Sequence, residues 1–562
     1  MREENIDHSA GSDGDVSGLD RRLFLGMLGA LGAGGSLSGV AGADDGGEPG
    51  DDWEAAADDR IHEHRTAELE VSIADGDGDA VETEVDVEML EHEFTFGTAV
   101  DANRLQEEGE DADRYREVVT ELFNTAVLEN HHKWRFWEDD QELADEATEW
   151  VLEEGLDIRG HAALWAAVDS WAVPPDVVSA MGVEWEDNDV TDPEFDPEHV
   201  EERSFEHLET IIEHYGEDML HWDVVNEVIH EPEMIQAIDG EDVDPVEAPV
   251  LAEWYRTATE VAPEAVDLDV NDYNTLAGPY EDTRDDYERQ IEFLANEEGA
   301  DLDGVGMQCH FSEAETLTPE QTMEGLDRYT GYGADLRITE FDMADEEWDE
   351  KEKAEFFEGF LRTIFSHPDV EDFLMWGFWD DEHWLDDAPL FFEDWEEKPS
   401  YDVYTDLVFG EWWTDESGTT ADGSGSFEPF LGEHELTISF EDGEFRTELS
   451  ITDSDGESVE VVVADVDVRG AAGGRRQGTL PVHVSGGEAF DPRTLDPQTI
   501  RFGTPEAVDT GEGATPRSEE LSGGRNGCMI HFDAGESTLE GGVAMLHGRT
   551  EDGKLVVGFE RY

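Results

Sequence analysis

One rhythm repeats between residues 94 and 410 of this chain: a short apolar run, then polar or aromatic residues, then a stretch with helical spacing. The apolar runs read as buried strands and the stretches between them as amphipathic helices. Alternation of this kind, repeated eight times, favours a parallel (β/α)8 barrel, the TIM barrel, as the fold class. The carboxyl ends of barrel strands share one rim, so the residues after each strand are the candidates for chemistry.

The predicted strands span residues 94–100, 123–128, 157–165, 222–226, 268–272, 304–310, 336–340 and 373–378. The clearest helical stretches span residues 139–154, 197–215, 249–261, 283–297, 319–330 and 350–365.

Two of the predicted strands end in a glutamate. The fourth runs into Asn226-Glu227, and the seventh ends at Glu340. In a glycosidase, one carboxyl group protonates the leaving sugar oxygen, and the other attacks the anomeric carbon or activates water there. Either glutamate alone would signify little among 148 acidic residues, since acidic side chains are mostly exposed. Two that face each other across one barrel mouth indicate a catalytic pair.

The charge of the chain excludes some partners. Its 32 basic and 148 acidic residues leave a net charge of -116, which repels nucleic acid and anionic membranes. Acidity of this degree often means disorder, but 16 Trp and 27 Phe are enough for real cores. A folded protein tolerates such self-repulsion where salt screens it. We therefore predict a salt-loving source with a haloarchaeal-like composition, and unfolding in low salt.

The first 64 residues do not fit the barrel pattern. Residues 1–43 read as a twin-arginine signal peptide: Arg21-Arg22 precede an apolar, Gly-rich run that ends in an A-x-A site, Ala41-Gly42-Ala43. A transmembrane anchor is the alternative, and the shortness of the run disfavours it. Residues 44–64 are predicted to be an acidic linker. The mature protein is expected to be secreted and extracellular, without contact to a membrane after export.

The regions that flank the barrel read as β structure. Residues 65–93 alternate apolar and polar residues around Asp75 to Asp79, which predicts a β-hairpin extension. A calcium loop is the alternative for that turn, but Ala80 stands where an EF-hand loop requires Gly. Residues 411–455 are predicted to form a small β appendage, and residues 456–562 a separate C-terminal β-sandwich. A sugar-binding module and a plain spacer are both open for that last region.

Cysteine usage is sparse. Cys309 lies within a predicted barrel strand and is expected to be a buried thiol rather than half of a disulfide with Cys528. No Cys/His spacing typical of a metal site is present in the sequence, so no metal is predicted.

The predicted rim carries an ordered series of motifs, and this series resembles family-10 glycoside hydrolases, the endo-1,4-β-xylanases built on a TIM barrel. The resemblance covers about residues 94–410. The motifs are Glu129 to Trp134, Arg159 to His161 with Trp165, Trp222 to Glu227, Asn271 to Asn274, Gln308 to His310, Ile338 to Asp342, and Trp376 with Trp384.

The resemblance implies a role for each motif. Glu227 is then the general acid/base and Glu340 the nucleophile of a retaining endo-1,4-β-xylanase. The resemblance implies that His310 bonds the nucleophile, that Asn226 holds a sugar 2-hydroxyl, and that xylan is the partner, with no cofactor. The rest of the implied substrate-binding set is Glu129, Asn130, Lys133, His161, Trp165, Tyr273, Gln308, Trp376 and Trp384.

Some alternatives stay open. An ordinary place in the core is the alternative for the tryptophans. The residues that follow Trp165, Ala166-Ala167, and the segment Glu411-Trp412-Trp413 look more like the plant-type branch of the family. The rival functions are a related retaining β-glycanase that acts on another plant polysaccharide and a non-catalytic polysaccharide-binding protein.

Overall fold

The computed structural model of the protein describes residues 52–561, apart from 186–189, 277, 345–347, 455, 470–477, 519–520, 538 and 540–541. The predicted signal peptide, residues 1–43, and the first part of the predicted linker lie outside the described residues. Within the described part of the chain, no helix is both long and apolar enough to cross a membrane.

Eight parallel strands close into a barrel, which confirms the predicted fold class. The circle closes because the eighth strand pairs with the first. Side chains of these strands are almost all buried, since packed side chains lie inside the barrel and helices outside it. The strands are β1 (Thr95–Val100), β2 (Thr125–Leu128), β3 (Asp157–Gly160), β4 (His221–Asn226), β5 (Asp267–Asp272), β6 (Gly304–Met307), β7 (Asp335–Met343) and β8 (Val370–Met375).

Three predicted helices have the predicted bounds: Pro197–Tyr215, Pro249–Val261 and Glu350–Phe365. The first begins sharply because the Asp196 side chain accepts a hydrogen bond from the His199 N–H and proline occupies its first position. The other helices between barrel strands, or directly after the last one, are Ala102–Gln106, Glu110–Leu122, Trp134–Asp139, Gln141–Glu153, Pro175–Met181, Glu233–Asp239, Glu281–Ala295, Pro319–Asp327 and Pro399–Asp406.

Two very short strands extend the barrel at its carboxyl rim. Leu164–Trp165 pairs with the end of β4 and sets Trp165 opposite Asn226. His310–Phe311 pairs with the end of β7 and sets His310 opposite Asp342. Backbone pairing therefore holds these side chains beside the two candidate glutamates.

Among the described residues, the β structure outside the barrel forms three sheets. A six-stranded sheet lies in the middle, with one apolar cluster on each face: Met545 and Val557 belong to one cluster, Leu546 and Val556 to the other. Its strands in order are Ser424–Phe427, Leu69–Asp75, Glu457–Val463, Leu555–Arg561, Val543–Arg549 and Arg501–Gly503. One outer sheet has the order Asp415–Thr419, Glu84–His92, Gly432–Phe440 and Gly443–Ile451; the other has the order Val466–Val468, Thr479–Ser485, Gly527–Asp533 and Ser522–Gly524.

The predicted hairpin over residues 65–93 is present only at its turn, where Ala74 and Ala80 form an isolated antiparallel bridge and the Asp75 N–H donates to the Asp79 carbonyl at 2.9 Å. Its two strands do not pair with each other. Leu69–Asp75 pairs in parallel with Glu457–Val463, whereas Glu84–His92 pairs with Gly432–Phe440 in a different sheet. The alternating pattern correctly predicted two half-buried strands, but alternation indicates a buried face and not a pairing partner. The prediction that residues 456–562 form a separate domain is also wrong. Their first strand, Glu457–Val463, pairs with Leu69–Asp75 of the N-terminal extension.

The predicted linker is wrong over its second half, where Asp52–His64 forms a helix. Ile61 on this helix joins the apolar core of the barrel, and Asp58 pairs with Arg362 at 2.8 Å. Packing on the barrel and this ion pair stabilise the helix. Both cysteines, Cys309 and Cys528, are buried free thiols, as predicted for Cys309.

Candidate active site

Glu227 follows the last residue of β4 and adopts a left-handed backbone conformation, with φ of 57°. This conformation is uncommon for a residue other than glycine and often marks a functional position. The Trp165 indole N–H donates to Oε2 at 3.0 Å, and the Gln308 amide donates to Oε1 at 2.9 Å. Asn226 donates a longer bond of 3.4 Å to Oε1. The half-buried carboxyl group is therefore held at the mouth of the barrel by three predicted site residues.

Glu340 lies within β7 and is only 4% exposed. The Asn271 side-chain amide donates to its Oε1 at 2.7 Å. His310 Nε2 lies 3.4 Å from Oε2, and His161 Nδ1 lies 3.9 Å from Oε1. The backbone N–H of Glu340 donates to the carbonyl of Gln308, whose side chain also reaches Glu227. Both glutamates thus belong to one polar network at the rim.

The pKa values of the two carboxyl groups are shifted in opposite directions. Burial, then the negative charge of Asp272 and, more weakly, that of Glu340 raise the pKa of Glu227 to about 7. Burial alone would also raise the pKa of Glu340, but His161, the hydrogen bond from His310 and the Arg159 charge outweigh it. The pKa of Glu340 is thereby lowered to about 2. Near neutral pH one group holds a proton and the other is an anion, which divides acid and nucleophile roles between them.

His310 connects Glu340 to a second carboxylate. Its Nδ1–H donates to Asp342 Oδ2 at 2.8 Å, while Nε2 faces Glu340. Burial acts to lower the pKa of His310, but Asp342 and Glu340 together raise it to about 10. The imidazolium is therefore a fixed positive charge beside the nucleophile candidate, oriented by Asp342 on the opposite ring edge.

Three residues predicted to bind sugar hydroxyls follow β2: Glu129, Asn130 and Lys133. The Lys133 ammonium donates to Asn130 Oδ1 at 3.0 Å and lies 4.9 Å from the centre of the Trp165 ring and 6.0 Å from that of Trp376. Burial lowers the pKa of Lys133, and Glu129 is the first of the charges that oppose this effect. The buried Lys133 ammonium can donate a hydrogen bond to a hydroxyl group, and the two indole rings beside it present apolar faces.

His161 connects the third strand to the fourth. Its Nδ1–H donates to Asp223 Oδ2 at 2.7 Å, and Arg159 donates to the other oxygen of the same carboxylate. The ring of His161 meets that of Trp376 edge to face, with centroids 5.0 Å apart. This arrangement holds the His161 ring between Trp376 and Glu340.

The aromatic residues predicted to form walls differ in exposure. Trp376 is 7% exposed, whereas Trp384 is 53% exposed and its indole N–H donates to Asp342 at 2.9 Å. Tyr273 is half-buried and stacks on His230, with ring centroids 3.7 Å apart. Burial, then Glu227 and Asp272 raise the pKa of Tyr273 to about 12, so the phenol stays neutral. Trp384 is accessible, and an ordinary place in the core, the alternative for the tryptophans, does not describe it.

The structure thus places every predicted site residue at the carboxyl rim, and it adds four residues to which the sequence argument gave no role: Asp223, Asn271, Asp272 and His230. The first three are fully buried polar side chains within barrel strands. A polar residue inside a predicted buried strand is a signal that can be read from the sequence. His230 carries no comparable signal, because its position depends on how the turn after Glu227 folds.

A family model and several known proteins are similar to this chain over more than half of its length. Residues 87–407 match the model of Glycosyl hydrolase family 10. The chain is 28% identical to Anti-sigma-I factor RsgI6 of Acetivibrio thermocellus over 69% of its own length and 46% of that protein's. It is 26% identical to Endo-1,4-beta-xylanase A of Halalkalibacterium halodurans over 56% of its own length and 84% of that protein's. The crystal structure of native xylanase 10B from Thermotoga maritima is 23% identical and covers 57% of this chain and 96% of its own, with a TM-score of 0.47.

Proposed function

The chain belongs to glycosyl hydrolase family 10, and on that premise we propose that it is a secreted endo-1,4-β-xylanase that cuts internal β-1,4 bonds of xylan by a retaining double displacement. The proposal rests on the opposite protonation of two glutamates in one barrel mouth, with a pKa of about 7 for Glu227 and about 2 for Glu340. Relatives whose names are endo-1,4-beta-xylanase support xylan as the substrate.

In the first step, a carboxylate oxygen of Glu340 attacks the anomeric carbon while Glu227 gives its proton to the leaving glycosidic oxygen. The carbon–oxygen bond to the leaving sugar breaks, and an ester between the sugar and Glu340 forms. Asn271 and His310 hold the attacking carboxylate in place. The low pKa of Glu340 keeps it ionised over the whole working range.

In the second step, water replaces Glu340 at the anomeric carbon. Esterification has removed the negative charge of Glu340, so one of the charges that raise the pKa of Glu227 is gone. With this lower pKa Glu227 stays ionised at the working pH, and as a carboxylate it takes the proton of the attacking water. The Glu340 ester bond breaks, both carboxyl groups return to their starting protonation states, and the product keeps the β configuration.

The substrate would lie across the rim between polar and aromatic side chains. Glu129, Asn130 and Lys133 offer hydroxyl partners on one side of the catalytic pair, and Tyr273 offers a ring face on the side of β5. Trp376 and Trp384 would cover the apolar faces of the sugar rings. Asn226 and Gln308, next to Glu227, are placed to bond hydroxyls of the sugar at the cleavage point.

Export through the twin-arginine route belongs to the same proposal and rests on residues 1–43. An Arg21→Lys, Arg22→Lys double variant is expected to stay inside the cell, where immunodetection would find the uncleaved chain. Appearance of that variant in the medium at the wild-type level would count against this route.

The activity is tested by release of reducing ends from xylan in multimolar salt, with wild type and Glu340→Gln compared. We expect release by the wild type and none by the variant. Retention is tested by proton NMR of the first product, which should be the β anomer. A first product in the α configuration would rule out double displacement.

The same experiment separates the alternatives. Cleavage of a mixed β-glucan but not of xylan would indicate a related β-glycanase. One relative is named as an anti-sigma factor and not as a hydrolase, so binding is measured beside cleavage. Xylan binding by the wild type with no release of reducing ends would indicate a polysaccharide-binding protein.

A further inference from the structure

A third carboxyl group lies beside the catalytic pair and has no part in the steps above. Asp272 is the last residue of β5 and is fully buried. The N–H of Glu227 donates to the carbonyl of Asn271 at 2.8 Å, so the backbone of the acid/base is joined directly to the end of β5. Next to burial, the charge of Asp272 is the main reason that Glu227 holds its proton.

Each of two neighbouring buried carboxyl groups disfavours ionisation of the other, and their surroundings decide which of them is ionised. Glu227 accepts hydrogen bonds from Trp165, Gln308 and Asn226, all of them neutral. Asp272 accepts from the backbone N–H of Ile229 at 3.0 Å and that of Tyr273 at 2.9 Å. It also accepts from His230 Nδ1 at 2.6 Å.

His230 therefore differs from every other donor to these two carboxyl groups among the described residues, because its side chain can carry a positive charge. The turn after β4 fixes its position: the N–H groups of His230 and Glu231 donate to the Glu227 carbonyl at 3.1 and 2.7 Å. The imidazole lies flat on Tyr273, with ring planes 17° apart. Both contacts aim Nδ1 at Asp272.

We propose that His230 is a positioning residue that keeps Asp272 ionised, and that the negative charge of Asp272 in turn keeps the proton on Glu227. This inference rests on the proposed function, in which Glu227 is the acid. Burial raises the pKa of Asp272, and the hydrogen bond and charge of His230 are the largest effects that oppose it. Without His230, Asp272 would take up a proton at a higher pH, and Glu227, no longer beside that negative charge, would become a carboxylate at a lower pH.

Other titratable groups face the same three residues, and the test leaves all of them in place. They are Tyr273 beside His230, Glu231 on the turn, Glu340 across the barrel, Lys133 after β2 and Tyr287 on the helix behind β5.

The test compares the pH dependence of kcat/KM on xylan for wild type, His230→Phe and His230→Asn. Phe keeps a ring against Tyr273 but removes the donor, whereas Asn replaces Nδ1 with an amide N–H. We expect the alkaline limb of His230→Phe to move down by about one pH unit, with a loss of about tenfold at pH values above the limb. Near pH 5 the loss should vanish, and Asn should restore much of the limb.

A purely structural role for His230 would lower kcat/KM by the same factor at every pH, and that result would overturn the inference. Asp272→Asn is the second variant in case His230→Phe does not fold. It removes the charge directly and should also move the alkaline limb down, and an unmoved limb would again overturn the inference. A wild type that releases no reducing ends from xylan would instead overturn the proposed function and the acid role of Glu227 with it.

Discussion

The low pKa of Glu340 depends on its neighbours, and His310→Gln should reveal this dependence. The variant removes the imidazolium 3.4 Å from Oε2 and leaves the Asp342 charge without the cation that now balances it. Both changes disfavour the ionised form of a side chain whose burial already does so. Loss of one opposite charge at this distance is worth about one to three pKa units. The pKa of Glu340 should therefore rise from about 2 to a value near that of a free glutamate.

The assay is kcat/KM on soluble xylan as a function of pH, in salt that keeps the protein folded. Above the acid limb Glu340 is ionised, and below the alkaline limb Glu227 is protonated. If the acid limb moves to about pH 4, kcat/KM at about pH 3 falls by about tenfold. The alkaline limb, near the Glu227 pKa of about 7, should stay, because His310 is not one of the groups that set it.

The matched control is His199→Gln, which removes a surface histidine that pairs with Asp176 at 2.9 Å. This variant should leave both limbs in place. Circular dichroism at each pH shows whether the protein is folded, so acid unfolding is not mistaken for titration. An acid limb of His310→Gln that coincides with that of the wild type would refute the account of Glu340.

Three further outcomes can be checked. In the reducing-end assay, Glu227→Ala should lower kcat/KM on xylan by about 10²–10⁴-fold and remove the alkaline limb of the pH profile. An alkaline limb that persists would mean that another group is the acid. Val71→Asp would place a charge in an apolar core beside the six-stranded sheet and should destabilise the protein by about 3 kcal/mol or more in urea titration. Glu70→Gln, at the neighbouring exposed position of the same strand, should change stability by less than about 0.5 kcal/mol. Equal effects of the two changes would contradict the placement of this strand in the sheet. Dialysis into low salt should unfold the protein by circular dichroism, and retained structure would refute the reasoning from its net charge of -116.

The barrel could be predicted from the sequence because its strands are buried on both faces. Such strands read as apolar runs of a few residues, and each run here is followed by polar residues at the rim. Proline at the first position of Pro197–Tyr215 and Pro249–Val261 marked the helix starts. Each of these signals lies within the few residues of its own strand or helix, so it can be recognised from the sequence alone.

The partners of the outer strands could not be predicted. Leu69–Asp75 pairs with a strand almost four hundred positions later in the chain, and nothing local in either strand specifies the other. The helix Asp52–His64 was missed for a related reason: its stability comes from contacts such as Asp58 with Arg362, which only the fold brings together. His230 was missed because the turn that aims it at Asp272 is a product of tertiary structure.

Salt should act on the stability of this protein and on its chemistry in different ways. Acidic side chains are mostly exposed, and the repulsion among the 148 in this chain acts over long distances through solvent. This repulsion weakens as the Debye length falls from about 10 Å at 0.1 M salt to about 3 Å at 1 M. The groups that set the proton affinities of the site are buried or half-buried and lie close to the carboxyl groups: His161 and His310 lie 3.9 and 3.4 Å from the Glu340 carboxylate, and Gln308 lies 2.9 Å from that of Glu227. Contacts of this kind are screened much less.

The pH limits of activity should therefore stay nearly fixed while stability changes with salt. The measurement is the pH profile of kcat/KM at molar and at multimolar salt, within the range in which circular dichroism shows a folded protein. Limbs that move steadily with the logarithm of salt concentration would mean that the surface charge reaches Glu227 and Glu340. In that case their proton affinities could not be assigned to Asp272, His161 and His310.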